Sequence, residues 1–253
     1  MVVNRRHAKL LKREVDIAAR SNRFWPPSSL DLPTQVVSKA PTIVAIAALC
    51  VLYFFQSRFE LMKESGMLSV EAIEAKSEWW RSVTAITLHA DIGHLSGNIL
   101  GISIFGYLSC RYLGNGLAWL TIITGAILAN FSSALLHWGE PFNSLGASTA
   151  VFAALGLLAA YPLGGFLRRR DPIESRDWFI PFLGGCILLA WMGGGEPPVD
   201  VGGHLLSFGF GFALTLPIAF FQVQSKLGKR LQISLLFATI LLFSACWAVA
   251  LKT

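Results

Sequence analysis

From residue 40 to residue 251 the chain repeats one pattern, an apolar run followed by a short polar break. The runs fall at 40–56, 93–113, 116–137, 146–165, 178–195, 202–221 and 231–251. A helix crossing a bilayer needs roughly 17 to 25 such residues, so the pattern predicts seven spans. The expected fold class is an all-α polytopic membrane protein, because a helix satisfies its backbone polar groups within one segment. The stretch 57–88 breaks the pattern. It mixes Met67, Leu68, Val70, Ile73, Trp79 and Trp80 with Glu and Lys, which is too polar to cross and suits a structured loop at the membrane interface.

Composition supports this reading. The 253 residues are 54% hydrophobic and 14% charged, with mean hydropathy +0.56, outside the balance of a soluble domain. The net charge of +6 is unevenly placed: eight of the 21 Lys and Arg precede the first span. Arg111, then Arg168, Arg169, Arg170 and Arg176, then Lys226, Lys229 and Arg230 fall in alternate loops, whereas HWGEPFN and EPPVD hold none. The positive-inside rule therefore puts the amino terminus in the cytoplasm and the carboxyl terminus outside. This distribution argues against nucleic acid as a partner and fits membrane lipid, with the basic tail suited to anionic headgroups. Cys50, Cys110, Cys186 and Cys246 sit singly in four runs, as expected of buried filler. The expected organisation is a basic cytosolic tail (1–40), a six-helix core (41–221, including the external interfacial loop 57–88), and a cytosolic loop with a seventh helix (222–253).

The polar residues inside the runs are the informative ones, since ionisable groups in spans are costly and usually face an interior cavity. LHADIGHLSGN places His94 and Asn98 one helical turn apart at the mouth of the second span. His204 rides beside a smooth stripe, Gly203, Ser207 and Gly211, and Gly93, Gly97 and Gly101 form another in the second span. Ser148 follows Gly146 and Ala147, and the strongly apolar part of its run, Ser148 to Tyr161, is short for the ~30 Å core. A loop dipping into a wet cavity is the expected remedy. A serine there has the unpaired amides of a helix start beside it. Nucleophilic catalysis needs that hydroxyl, a base and oxyanion donors; His204 supplies a base, and His94 and Asn98 supply donors. His89 and His94 lack zinc-site spacing, so no metal is expected and no cofactor is required. Asp200, among Pro197, Pro198, Gly202 and Gly203, reads as a loop carboxylate outside any triad.

From about residue 78 to 212 these motifs resemble the rhomboid intramembrane serine proteases. Glu78, Trp80, Arg81 and Thr84 resemble that family's ExWR motif. His89, His94 and Asn98 match its HxxxxHxxxN pattern, GAS at 146–148 its GxSx, and His204 with Gly211 its sixth helix. The resemblance implies a rhomboid-like bundle of six helices plus one C-terminal helix. It implies Ser148 as nucleophile, His204 as general base, and an oxyanion surrounded by His94, Asn98 and the Ser148 amide. Gly146, Phe152, His89, Trp80 and Arg81 would support them. Phe152 stands where the family usually has Tyr, Thr149 where a glycine commonly follows the serine, and Ser207 where a small glycine is usual.

The expected function is an endopeptidase in a bacterial inner membrane, cutting single-span or other transmembrane proteins near the external face by a Ser–His dyad. The fifth span, with Pro181, Gly184 and Gly185, is the candidate gate. The alternative is a rhomboid-fold protein that binds transmembrane helices without cutting. A channel or transporter is a third reading, disfavoured by the lack of internal repeats and of intramembrane acidic residues.

Overall fold

The computed structural model describes residues 37–169, 183, 184, 187 and 200–252. The helices among them are α1 (Ala40–Gln56), α2 (Glu60–Gly66), α3 (Val70–Lys76), α4 (Arg81–Thr84), α5 (Ile92–Gly101), α6 (Tyr107–Leu113), α7 (Asn115–Leu136), α8 (Ser148–Arg169), α9 (Val201–Phe220) and α10 (Lys229–Ala250). A π-helical turn, Ile102–Gly106, joins α5 to α6, so residues 92–113 form one uninterrupted helical segment. Helices α7 to α10 are each long and apolar enough to cross a membrane, and α1 with α2 qualifies as a further span across a 118° bend. The chain is an all-α polytopic membrane protein. The 1–36 tail and the 178–195 span apart from 183, 184 and 187, with its gate residues Pro181 and Gly185 and with Cys186, lie outside the described residues.

Helix α8 is the centre of the bundle: 72% of its apolar window is buried, against 17% for α10. Glycine lets α9 approach it closely. A Cβ at Gly156 would collide with the Phe208 carbonyl and the Phe212 amide, one at Gly211 with the Ala153 backbone, and one at Gly164 would lie 2.5 Å from the Ala219 side chain. These contacts advance together along both helices, so α8 and α9 run parallel. Buried positions on α9 are Gly203, His204, Ser207, Gly211, Thr215 and Ala219, the expected smooth stripe. On α5, Gly97 and Gly101 are buried but Gly93 is exposed, so that stripe is shorter than expected.

Two expectations are corrected. The fourth helix is not short: α8 runs 22 residues, about 33 Å at 1.5 Å per residue. Neither Pro162 nor Gly164 ends it, because leaving the helix in hydrocarbon would strand backbone polar groups. Cys50 is not buried filler; it is exposed and Cys246 is intermediate, while Cys110 is buried. A small, weakly polar thiol is tolerated on a lipid-facing surface, as are the exposed Val51, Phe54, Leu100 and Leu241.

The loop after α1 is a built structure. Arg81 donates through Nε to Glu78 (2.6 Å) and through a terminal nitrogen to the carbonyls of Glu64 (2.6 Å) and Met67 (2.8 Å). Thr84 donates to the Gly66 carbonyl at 2.6 Å. This brings β1 (Leu68–Ser69) antiparallel to β2 (Asn143–Ser144), with Leu68 opposite Ser144. The loop therefore holds the strand that leads into Ser148. Helix α10 docks on the core through Gln232, whose amide accepts from the amides of Gly116 (2.7 Å) and Leu117 (2.9 Å) and donates to the Leu113 carbonyl (2.9 Å). Those groups belong to the ends of α6 and α7, where no helical partner remains.

Candidate active site

Ser148 opens α8 directly after the sharp turn at Gly146. Gly146 has φ +139°, and a Cβ there would lie 2.6–2.7 Å from the His94 ring and 3.5 Å from the Ser148 hydroxyl. Only glycine fits both the backbone angle and the space. That one position thus reports His94 and the Ser148 hydroxyl as near neighbours.

Helix α5 presents His94 because Asp91 caps it, its carboxylate accepting from the His94 amide at 2.9 Å. Further along, a Cβ at Gly101 would lie 2.6 Å from the Val151 side chain. The two contacts, 94 with 146 and 101 with 151, bracket Asn98 and Ser148 between parallel helices. Asn98 is 1% exposed, and neither atom of its amide has a hydrogen-bond partner.

His204 reaches the site from α9. Its ring stacks on Phe152 with centroids 4.5 Å apart and planes 14° from parallel. Phe152 lies one turn after Ser148, on the same face. Asp200 is not a third member: its carboxylate caps α9, accepting from the Gly203 amide at 2.7 Å. Ser148 is 6% and His204 3% exposed. Among the described residues no hydrogen bond joins the Ser148 hydroxyl to the His204 ring, and His204 Nδ1 is buried without a partner. Catalytic hydrogen bonds are often long in unliganded sites and tighten around substrate.

His89 braces the site from the loop before α5. Its ring meets His94 edge-on with centroids 5.3 Å apart, and the Ala147 amide points at its Nε2 from 3.5 Å. Burial, with the neighbouring His94 second, pulls its imidazole down to about 3, so the ring is neutral at ordinary pH. Trp80 and Arg81 stay in the loop, with Trp80 packed against the cluster of Met62, Leu88, Trp247 and Ala250.

Four contributors were not singled out from the sequence for these contacts. Gln56, at the end of α1, clamps the His89 backbone, accepting from its amide at 3.0 Å and donating to its carbonyl. Trp247 on α10 donates to the Thr87 hydroxyl at 3.1 Å. Ser207 donates to the Thr149 carbonyl, so the residue after Ser148 and the one three after His204 meet each other across the α8–α9 seam. The signal for Gln56 was visible as a polar residue closing an apolar run.

Several known proteins are similar to this chain. Residues 76–221 match the model of the Rhomboid domain. The chain is 30% identical over 141 residues to Rhomboid protease GluP of Bacillus subtilis (strain 168), covering 56% of this chain and 23% of that protein. It is 30% identical over 197 residues to Putative rhomboid protease YdcA of the same organism, covering 74% of this chain and 90% of that one. RHOMBOID-like protein 9, chloroplastic, of Arabidopsis thaliana is 35% identical over 79 residues, covering 31% of this chain and 18% of that protein.

Proposed function

The chain belongs to the rhomboid family, and on that premise we propose that it is a serine endopeptidase that cleaves transmembrane proteins within the membrane. The observation that carries the proposal is a set of buried polar atoms without a protein partner on the two helices that flank α8 at its Ser148 end: His94 Nε2, both atoms of the Asn98 amide, and His204 Nδ1. Each such atom costs on the order of 1–3 kcal/mol when left without a partner. Two helices, α5 and α9, carry these atoms, and a substrate carbonyl or a water would satisfy them.

The Ser148 hydroxyl attacks the scissile carbonyl carbon while its proton passes to the His204 ring. The carbonyl oxygen takes up the negative charge and is met by His94, Asn98 and the Ser148 amide. The imidazolium then protonates the leaving nitrogen, the C–N bond breaks, and the new amino terminus departs. Water attacks the acyl-serine and gives a proton to His204; the C–Oγ bond then breaks, His204 returns that proton to the Ser148 oxygen, and the carboxyl product leaves. Phe152 holds the His204 ring flat by stacking, without the hydroxyl of the usual tyrosine.

The assignment of the amino terminus to the cytoplasm, cleavage near the external face, and residence in a bacterial inner membrane are part of the same proposal. So is the organisation into tail, six-helix core and added seventh helix. The positive-inside pattern and the placement of Ser148 at the loop end of α8 support them.

The test is reconstitution of purified protein with a single-span substrate, comparing wild type with Ser148→Ala and His204→Ala. Cleavage by wild type alone is expected. Substrate held by wild type and never cut would decide for the alternative, a rhomboid-fold protein that binds transmembrane helices without cutting.

A further inference from the structure

Helices α1 and α10 flank a groove of about 690 Å³ whose floor is the core of the bundle. The two helices run parallel: Leu52 and Trp247, late in each, share one cluster with Met62, and Pro41 and Ile233, early in each, line the other end. The groove therefore opens between two helix starts. Lys39 precedes α1, and Lys229 and Arg230 open α10; all three are exposed, and none is ion-paired among the described residues.

The walls are methyl, methylene and aromatic surface. The hydroxyls in the lining, Thr87, Thr239 and Ser244, donate to the carbonyls of Thr84, Leu235 and Ile240, so none of them is left to donate to a ligand. A void against such walls forfeits dispersion contacts on one side. A transmembrane helix is the poorer occupant, since helix partners favour small residues at the seam, while α10 presents Ile233, Phe237, Ile240 and Phe243.

We propose that this groove is a binding site for an anionic phospholipid, one acyl chain lying between α1 and α10 and the headgroup held by Lys39, Lys229 and Arg230. The chain reaches Ala147 and Ala150, which line the groove on either side of Ser148 in sequence. The lipid thus packs behind the serine, on the face away from His204.

The test is native mass spectrometry of the full chain in detergent, titrated with phosphatidylglycerol or phosphatidylcholine of matched chains. Wild type should retain one phosphatidylglycerol and prefer it by about fivefold for each headgroup contact, from roughly 1 kcal/mol per basic residue at a surface. Ala48→Trp fills the groove and should abolish retention of both lipids; Ser244→Phe, from the opposite wall, is an independent block. Leu241→Trp, exposed and outside the lining, should bind as wild type. Replacing Lys39, Lys229 and Arg230 with Gln should erase the preference and leave chain binding. Equal binding of the two lipids by wild type, or unchanged phosphatidylglycerol retention in both blocking variants, would overturn the proposal. So would a polypeptide found in the groove in place of lipid. The readout is bound mass, so it stands or fails separately from proteolysis.

Discussion

Gly156→Ala is the smallest change that separates the proposed nucleophile from its base. A Cβ at 156 would sit 2.8 Å from the Phe212 amide nitrogen and 2.9 Å from the Phe208 carbonyl carbon, with the Phe208 oxygen nearer still. These are backbone atoms and cannot rotate aside. Bringing the nitrogen alone from 2.8 Å to the 3.4 Å of ordinary contact moves α9 by about 0.6 Å, and the carbonyl oxygen demands more. Overpacking of this kind costs on the order of 1–3 kcal/mol. His204 rides on the displaced helix, and a misplacement near 1 Å costs about 10²-fold in rate. The expectation is a Tm several degrees lower and kcat down 10- to 100-fold, measured on a reconstituted single-span substrate. Gly209→Ala is the control on the same helix, since a Cβ there meets nothing within 4 Å; its Tm and kcat should match wild type. If Gly156→Ala keeps wild-type kcat and Tm, the claim that backbone contact between α8 and α9 sets the Ser148–His204 geometry is wrong.

Asn98→Ala should lower kcat by about 10²- to 10³-fold with Tm unchanged or raised, because two unpaired buried amide atoms disappear; a wild-type rate would make Asn98 structural. Gln56→Leu breaks both bonds to the His89 backbone and should cost about 1–3 kcal/mol, read as a lower Tm together with a lower kcat at saturating substrate. Trp247→Phe keeps an aromatic ring but removes the bond to Thr87, about 1 kcal/mol, and part of the indole that packs at Gly66, so the loss in unfolding experiments should exceed that of the bond alone. Stability should also respond to acid through His89: its folded value of about 3 lies below the ordinary imidazole value of 6.5. The stabilising contribution of the neutral ring is therefore full above about 6.5 and lost as pH falls toward 3. His89→Gln should show a shallower fall in Tm between pH 7 and 5 than wild type.

The sequence was most legible where a single local rule sufficed. The runs at 40–56, 93–113, 116–137, 146–165, 202–221 and 231–251 all fall on helices, since hydrocarbon leaves the backbone little else. The grouping of Ser148, His204, His94 and Asn98 is an expectation drawn from ordered polar motifs on three spans; the contacts observed are the Gly146 turn against His94 and Ser148, and Phe152 against His204. Asp200 read as a loop carboxylate; its place just before α9 fits that, and its role as the helix cap emerges only from the fold. The length of α8 was misread: apolar strength falls after Tyr161, but helix continuity in a membrane follows backbone hydrogen bonding instead. Gln56 and Trp247 stayed hidden because their partners lie 33 and 160 residues away in the chain, and no spacing rule reaches that far.

The placement of these long-range contacts explains how a site with so many unpaired groups keeps its shape. Helices α8 and α9 hold Ser148 and His204 through glycine contacts and the Ser207–Thr149 bond. Helix α5 brings His94 and Asn98, but its entry is fixed by His89, and His89 is fixed by Gln56 on α1 and faces the Ala147 amide. The loop just before it is pinned to α10 through Thr87 and Trp247. A buried cluster that cannot satisfy its own polar atoms is free to relax toward any partner within reach, so rigidity has to come from outside it. The outer helices α1 and α10 supply that constraint at two points flanking His89. That outside support is what the proposed donors, His94 and Asn98, would need in order to act on a developing charge instead of on each other.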